Sequence, residues 1–463
     1  MEFRNYKSYP EYKDSGVEWI GEVPVDWETI KLKRIFTIYN GSTPNSGVEQ
    51  YWNGNMLWAT PDDLGQLQGQ YLYNTRKSIT REGYLSCGTS LIPKNNLILS
   101  IRAPIGHLAI TGYNICINQG CKGLIFNKNV SIKYFYFLLL ALKKELESWG
   151  QGSTFQELSR KNLQKIVLLK PSINEQHKIA FFLDYRTTQI DQLIQEKQEL
   201  IELLKKKKTA LITKCVTKGL DDNVKMKDSG VEWIGKMPKH WDITQLKRFI
   251  SNIESGTSVN AIDEAIEPYN KSEFGVLKTS AVFKENLNIN ENKKVLDAET
   301  ERCTCPLVSN TLIVSRMNTP DLVASAGYSE KNVNNIFLPD RLWQIKTEPS
   351  IKTKFLFYFT LSVLYRYQVH ILACGTSSSM VNLSQHEFGS IIITVPSVKE
   401  QTELIDYLDN KTSKIDQSIQ EIQDSIDYLK RYRTSLITAA VTGKIDVRDW
   451  EQGEILNKEA AHA

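Results

Sequence analysis

No CxxC pair occurs among the seven cysteines, Cys87, Cys116, Cys121, Cys215, Cys303, Cys305 and Cys374. That spacing argues against a zinc ribbon or a thioredoxin-type site. An odd number in a long chain reads as reduced, mostly buried thiols, with Cys303-x-Cys305 the one pair placed to touch a metal. Long apolar runs are missing too. Tyr134–Leu142 and Phe355–Leu364 are the longest, whereas a bilayer span needs about 20 apolar residues. Both read as buried helices, and no membrane is expected as a partner. The first residues, MEFRNYKSYP, carry no apolar secretory core, so the expected compartment is cytoplasmic.

Catalytic signatures are also absent. There is no GxGxxG cofactor loop and no GxxxxGK[ST] phosphate loop. Asn318-Thr-Pro-Asp321 is not the Asn/Asp-Pro-Pro-aromatic motif of an amino-methyltransferase. Pro61-Asp62-Asp63 is followed by no nearby Glu-x-Lys of a metal nuclease. The six histidines lack HExxH-type spacing; His370 and Cys374, four apart, read as core or surface. The expectation is a chain that is not an enzyme and holds no cofactor and no metal of its own.

What is present begins with ordinary globular composition. The 463 residues are 41% hydrophobic and 24% charged, enough for two to four domains at roughly 150 residues each. The net charge is only +4, but it is unevenly spread. Between residues 50 and 144 lie Arg76, Lys77, Arg81, Lys94, Arg102, Lys122, Lys128, Lys133, Lys143 and Lys144, against only Asp62, Asp63 and Glu82. Such a local excess suits a polyanion.

The chain also repeats itself. KDSGVEWIGEVPVDWETIKLKRI (13–35) matches KDSGVEWIGKMPKHWDITQLKRF (227–249) at 14 of 23 positions, at an offset of 214. A second repeat, at an offset of 225, aligns PSINEQ (171–176) with PSVKEQ (396–401) and runs on to Val216-Thr217 and Val441-Thr442. A fainter echo pairs Ser131-Ile132-Lys133 with Ser350-Ile351-Lys352. Between these landmarks the copies diverge. Drift alone would not spare the ends and scramble the middles; two equivalent modules holding different targets would.

Residues 174–217 and 399–442 contain neither Pro nor Gly. Each stretch follows a Pro-Ser and is closed by a glycine, Gly219 or Gly443, which reads as a helix start and stop. The apolar period is seven. The first seam is Leu183, Ile190, Lys197, Leu204 and Leu211, with companions Thr187, Ile194, Ile201 and Lys208. The second is Leu408, Ile415, Ile422, Leu429 and Leu436, with companions Thr412, Ile419, Ile426 and Arg433. Alternating spacings of four and three are the a/d pattern of a coiled coil. Each helix would be about 66 Å long at 1.5 Å per residue and needs a partner, most simply the other copy, antiparallel. Lys197 and Lys208 weaken the first seam unless their stems snorkel. The tetralysine Lys205–Lys208 reads as a solvated face.

The first variable block, about 24–160, mixes short strands with turns. Leu97–Ile101 and Leu108–Thr111 read as strands, and Tyr51, Trp52, Trp58, Tyr71 and Tyr73 read mostly as core. Arg102 follows a strand and precedes a tight turn at Gly106, well placed for a phosphate or a guanine edge. The second block offers a looser counterpart, Ser315-Arg316-Met-Asn-Thr-Pro320.

On these residues the chain resembles the DNA-specificity (S) subunits of type I restriction–modification systems. WIGEVPVDW (19–27) and WIGKMPKHW (233–241) fit the family's opening. Gly41-Ser-Thr-Pro44, Gly54-Asn-Met-Leu-Trp58, Asp63-Leu64, Ser100-Ile-Arg-Ala-Pro-Ile-Gly106, Asn118-Gln-Gly120 and Gly150-Gln-Gly-Ser-Thr-Phe155 fit its first block. The long helices ending VTKG (216–219) and VTGK (441–444) fit its repeats. The second block departs from the pattern, with Arg316-Met-Asn and Asn334-Asn-Ile-Phe-Leu338 in place of the arginine and Asn-Gln-Gly motifs.

The resemblance implies an α+β fold: two α/β target recognition domains, 24–160 and 238–385, separated by two long antiparallel helices in a coiled coil, with an internal pseudo-two-fold. The repeat segments are then 1–23, 161–237 and 386–445, followed by a tail, 446–463. It implies that each recognition domain reads half of a bipartite, asymmetric site in double-stranded DNA, with Arg76, Lys77, Arg81, Lys94, Arg102, Lys122, Arg316, Asn318 and Arg341 as candidate contacts. The implied partners are two methyltransferase (M) subunits and restriction (R) subunits, which would carry S-adenosylmethionine, ATP and Mg. A nuclease or methyltransferase acting alone, or a coiled-coil adaptor without DNA, are the rival classes.

Overall fold

A computed structural model describes residues 6–18, 20–127, 129–150, 157–270, 272–283, 286–377 and 380–451, with the side chains of 374–377 left aside. Trp19, Lys128, the 151–155 part of the glycine motif and the Cys374 side chain fall outside the described residues. The fold is α+β. The chain divides into two compact units, residues 1–197 with 424–463, and residues 198–423. Among the described residues no helix is long and apolar enough to cross a membrane.

The repeats become one frame, built once in each unit. In the first, Tyr12–Asp14 pairs with Glu22–Pro24, and Glu28–Lys31 pairs antiparallel with Val167–Lys170. In the second, Met226–Asp228 pairs with Lys236–Pro238, and Asp242–Gln245 with Ile392–Val395, in the same registers. The opening segment of each copy therefore hydrogen-bonds to the strand that leads into its long helix. That explains why both ends of a copy are alike while its middle varies. Trp27 and Trp241 are fully buried. Their indole N–H groups donate to Glu175 (3.0 Å) and Glu400 (2.9 Å) in the first turns of the helices. Gln176 and Gln401 act as equivalent clamps. Their carbonyls accept from the backbone N–H of Ser131 (3.0 Å) and Lys352 (2.7 Å). Ser131 thus corresponds to Lys352, not to Ser350, so the fainter echo read from the sequence is out of step by two residues.

Inside the first frame lie β1 (Phe36–Asn40), β2 (Trp52–Ala59), α1 (Pro61–Gly65), β3 (Tyr71–Leu72), β4 (Lys77–Ile79), β5 (Leu91–Ile92), β6 (Leu97–Ser100), β7 (Leu108–Thr111), β8 (Ile115–Ile117), β9 (Cys121–Phe126), the buried helix α2 (Ile132–Ala141) and the long helix α3 (Ile173–Lys218). Their sheets run β1-β9-β6-β7-β3 and β4-β2-β8-β5. The expected strands at 97 and 108 are present. The aromatics divide: Trp58 is buried, whereas Tyr73 is 51% exposed and stacks on Tyr71.

The second frame holds β10 (Ile250–Ser255), β11 (Thr311–Ser315), β12 (Ala326–Ser329) and β13 (Leu342–Thr347), in the order β10-β13-β11-β12. This is the β1-β9-β6-β7 arrangement again. The apolar run 355–364 is not one helix. It breaks into α4 (Thr353–Thr360) and α5 (Val363–Leu372), because the Ser362 hydroxyl caps the second by accepting from Tyr365 N–H.

The long helices match expectation to within one residue: α3, and α6 (Val398–Val441). Gly219 and Gly443 follow them with φ of +78° and +72°, the left-handed stop that only glycine adopts freely. Every expected seam residue is buried or half-buried: Leu183, Ile190, Ile194, Ile201, Leu204 and Leu211 on α3, and Leu408, Ile415, Ile419, Ile422, Ile426, Leu429 and Leu436 on α6. Lys205, Lys206 and Lys207 are solvated as expected, but Lys208 is not. It is 8% exposed and ion-paired with Asp416 at 2.8 Å. Its charge is buried with a counter-ion instead of snorkelling to water.

The described cysteines are all free, and burial pushes the Cys116 thiol up to about 12 and that of Cys305 to about 11. Such thiols are poor nucleophiles and poor metal ligands at neutral pH.

Because Trp27 fills a closed site and satisfies a buried carboxylate, Trp27→Ala is expected to lower the unfolding free energy by about 3–5 kcal/mol. The exposed Lys33→Ala should change it by no more than about 0.5 kcal/mol. Urea unfolding of the two variants checks the contrast.

Candidate nucleic-acid interface

At the C-terminal end of β6 the chain leaves the sheet through Ile101 and Arg102 and turns back at Gly106, where φ is +91°. Ser100 holds this turn. Its hydroxyl accepts from His107 N–H (2.8 Å) and donates to the Pro104 carbonyl (2.9 Å). Arg102 is bridged to Glu157 through the backbone, and its Nε donates to Glu157 Oε2 at 2.9 Å. Both side chains remain about half exposed.

Lys122, next in the sheet on β9, donates to Asn40 Oδ1 at the end of β1 (2.9 Å). Burial lowers its ammonium pKa, and the positive charges of Arg160 and Arg102 lower it further, against the pull of Glu157. Cations crowded in this way favour an anion close by.

The loop after β1 lies beside these residues. Gly41 sits so close to the Asn118 carbonyl that a Cβ there would come within 1.8 Å of it. Thr43 and Gln119 are hydrogen-bonded. Trp58 and Trp52 donate to the carbonyls of Ser42 (3.0 Å) and Asn45 (3.2 Å), and Lys77 lies 5.6 Å over the Trp52 ring. Gly120 abuts Pro61, which opens α1, and the next residue, Asp62, pairs with Arg76 at 2.7 Å. Successive contacts thus link Arg76, Lys77, Arg102 and Lys122 around one set of rigid loops.

Two candidates are not brought there. Lys94 precedes β6, at the opposite end of that strand from Arg102, where its N–H donates to Asn114. Arg81 is exposed at the start of the short helix Arg81–Leu85, beyond the far end of β4. Sequence reasoning missed Glu157, Arg160, Thr43 and Gln119. Of these Thr43 and Gln119 carried a signal, as exposed polar residues inside the Gly41-Ser-Thr-Pro44 and Asn118-Gln-Gly120 motifs.

The second unit repeats the geometry with different contents. Ser315 N–H bonds the Ser325 carbonyl as Ser100 N–H bonds that of His107. Leu383 N–H bonds the Arg316 carbonyl as Leu158 N–H bonds that of Ile101. Met317 bridges to Asn382 as Arg102 does to Glu157. Arg316 therefore occupies the place of the buried Ile101, and Met317 that of Arg102. The looser counterpart read from the sequence is off by one, and one step along an extended chain reverses the side chain's face.

Arg316 Nε is buried, with no hydrogen-bond partner among the described residues. The Arg316 backbone N–H donates to the carbonyl of Arg341 (3.0 Å), an exposed residue at the start of β13. Asn318 is half-buried, its Oδ1 accepting from Thr319 N–H (2.8 Å). Eight residues separate Ser315 from Ala324, against five between Ser100 and Gly106. Arg366 fastens this longer loop by donating to the carbonyls of Val323 (2.6 Å) and Asp321 (2.9 Å).

Two stretches of the chain, 24–203 and 239–427, match the type I restriction modification DNA specificity domain. The chain belongs to that family. It is 35% identical over 189 residues to the MjaIX specificity subunit of Methanocaldococcus jannaschii, a match covering 40% of this chain and 43% of that one. The chain therefore aligns with less than half the length of that relative. With the MjaVIII specificity subunit of the same organism the identity is 22% over 434 residues, covering 92% and 95%. A solved chain from a description of the assembly and conformational transition of the type I R-M system shares the fold, with a TM-score of 0.66 at 11% identity, covering 90% of this chain and 98% of that one.

For a member of this family, Arg102→Ala should weaken binding to target DNA by about 1–3 kcal/mol, the worth of a well-placed base contact. Lys94→Ala and Lys207→Ala should do less. Equilibrium titrations at one fixed salt concentration check the order, and equal losses would remove Arg102 from the interface.

Proposed function

We propose that this chain reads a split, asymmetric double-stranded DNA site for a type I restriction–modification complex and carries no chemistry of its own. The observation that bears most weight is the pairing of one frame with two unlike loop sets. Each matched domain presents a turn at the end of its central strand, Ile101–Gly106 in one and Arg316–Ala324 in the other. The lengths differ and the exposed residues differ, as two half-sites of different sequence require. The recognition domains are 24–160 and 238–385, and the contacts come from Arg76, Lys77, Arg102 and Lys122 in the first and from Arg341 in the second, Arg316 being turned to the buried face. Methyltransferase subunits, docked on the repeats, supply S-adenosylmethionine chemistry, and restriction subunits supply ATP- and Mg-dependent cleavage. The assembly works in the cytoplasm.

In this reading α3 and α6 are an antiparallel coiled coil that sets the half-site spacing. The ion pairs support it. From Asp191 to Lys208 on α3 is a forward step of 17 residues, and the partners, Arg433 and Asp416 on α6, step back by 17. The buried seam with its period of seven supports it too.

Methylome sequencing of cells with and without this chain tests the reading. The expected result is loss of methylation at one bipartite, non-palindromic motif; a continuous or palindromic motif would contradict it. Inserting one heptad after Gln198 and another after Gln423 tests the ruler. It keeps the seams in register and adds about 10 Å, or roughly three base pairs. It also asks for roughly 100° of rotation about the duplex. Half-site sequences should persist while the preferred spacer grows, with some loss of affinity.

A further inference from the structure

Just beyond the central strand of each unit, two residues from distant parts of the chain face each other. In the first unit they are Arg102 and Glu157, joined by an antiparallel bridge. In the second they are Met317 and Asn382, joined in the same way. Neighbouring hydrogen bonds fix the equivalence. Leu158 N–H donates to the Ile101 carbonyl (2.8 Å), and Leu383 N–H to that of Arg316 (2.9 Å). Residues directly opposite in an antiparallel pair send their side chains to one face, with Cβ atoms about 5 Å apart. Ile101 is buried, so the next position turns outward. Arg102 and Asn382 are exposed, and Glu157 and Met317 are partly so.

The two pairs complement different base pairs. Arg102 gives its Nε to Glu157 (2.9 Å) and makes no other side-chain hydrogen bond among the described residues. Its terminal N–H groups are a fork of donors beside a carboxylate acceptor. In the major groove guanine shows two acceptors, N7 and O6, and its partner cytosine shows a donor, N4. The donor fork with an acceptor alongside matches that row. The positive charges of Lys122 and Arg160 crowd the same spot and suit phosphate. An acid among them repels the duplex unless a donor on a base meets it. Met317 and Asn382 present an apolar group beside an amide. An amide pairs with adenine N6 and N7, and an apolar group packs on the thymine methyl. Neither residue carries a charge that phosphate would attract.

We propose that each bridged pair reads one base pair through the major groove: Arg102 with Glu157 reads G·C in one half-site, and Met317 with Asn382 reads A·T in the other. This rests on the proposed reading of DNA by this chain. It makes Glu157, Met317 and Asn382 specificity-determining residues.

The test is selection of bound sites, by the chain assembled with its methyltransferase subunits, from a DNA library randomised in both half-sites. Arg102→Met with Glu157→Asn should convert one G·C position of one half-site to A·T and leave the other half unchanged. Met317→Arg with Asn382→Glu should convert one A·T position of the other half to G·C. Arg102→Met alone should relax its position without converting it. A site unaltered by either exchange, in chains that still bind, would overturn the proposal. Should an exchanged chain lose all binding, the native chain decides. 7-Deazaguanine, which lacks the N7 acceptor, is placed at each guanine of the site in turn. At one of them it should weaken binding about tenfold or more, the worth of a bidentate contact; a site with no sensitive guanine would also overturn the proposal. A native chain that selects no bipartite site rejects the reading of DNA and this inference with it. A bipartite site that ignores both exchanges rejects this inference alone.

Discussion

Each unit closes where a buried indole meets a carboxylate, buried at Glu175 and half-buried at Glu400. Trp27 on Glu175 and Trp241 on Glu400 join the opening segment of a copy to the first turn of its long helix, beside the strand pair that ties the same two segments together. A carboxylate in such a place is tolerable only with its hydrogen bonds made. The contact therefore fixes the angle at which the helix leaves the sheet, and everything between the two tied segments becomes an inserted loop system. The sheets can change residues and lengths freely, because the backbone that frames them is held elsewhere.

That separation explains how the two units can be so alike in hydrogen bonding and so unlike in chemistry. The turn after the central strand begins at a serine in both, Ser100 and Ser315, and returns through a residue with positive φ, Gly106 or Ala324. Between those points one unit presents an arginine restrained by Glu157, and the other a methionine. Under the proposed function the restraint bears on recognition. A free guanidinium binds any phosphate, whereas one held by a carboxylate must give up or share that partner, so geometry as well as charge is read.

The sequence made the frame legible and the interface only in part. The ends of the long helices follow from local chemistry, a Pro-Ser before and a glycine after, and come within one residue. The seam follows from a period of seven. The partners of polar groups do not follow, because they lie far away in the chain: Glu157 is 55 residues beyond Arg102, and Asp416 is 208 beyond Lys208. A lysine in an apolar seam reads as a defect until its partner is seen. The two alignment errors have one cause. Residue type pairs Arg316 with Arg102 and Ser350 with Ser131, whereas the backbone equates positions by hydrogen bonds. Loop lengths that differ by a few residues shift one against the other.

The first unit is discontinuous in the chain. Tyr12 donates to the Gly443 carbonyl, Arg448 packs its guanidinium on the Tyr9 ring, and the Lys7 backbone bridges to Asp446. The second unit is one unbroken stretch, 198–423. On a ribosome adding roughly 5–20 residues per second, the nascent first unit waits on the order of ten seconds or more for the segment that completes its core. Vectorial synthesis therefore finishes the later-encoded unit first, and the earlier one is held open, its apolar faces uncovered, for the length of that pause.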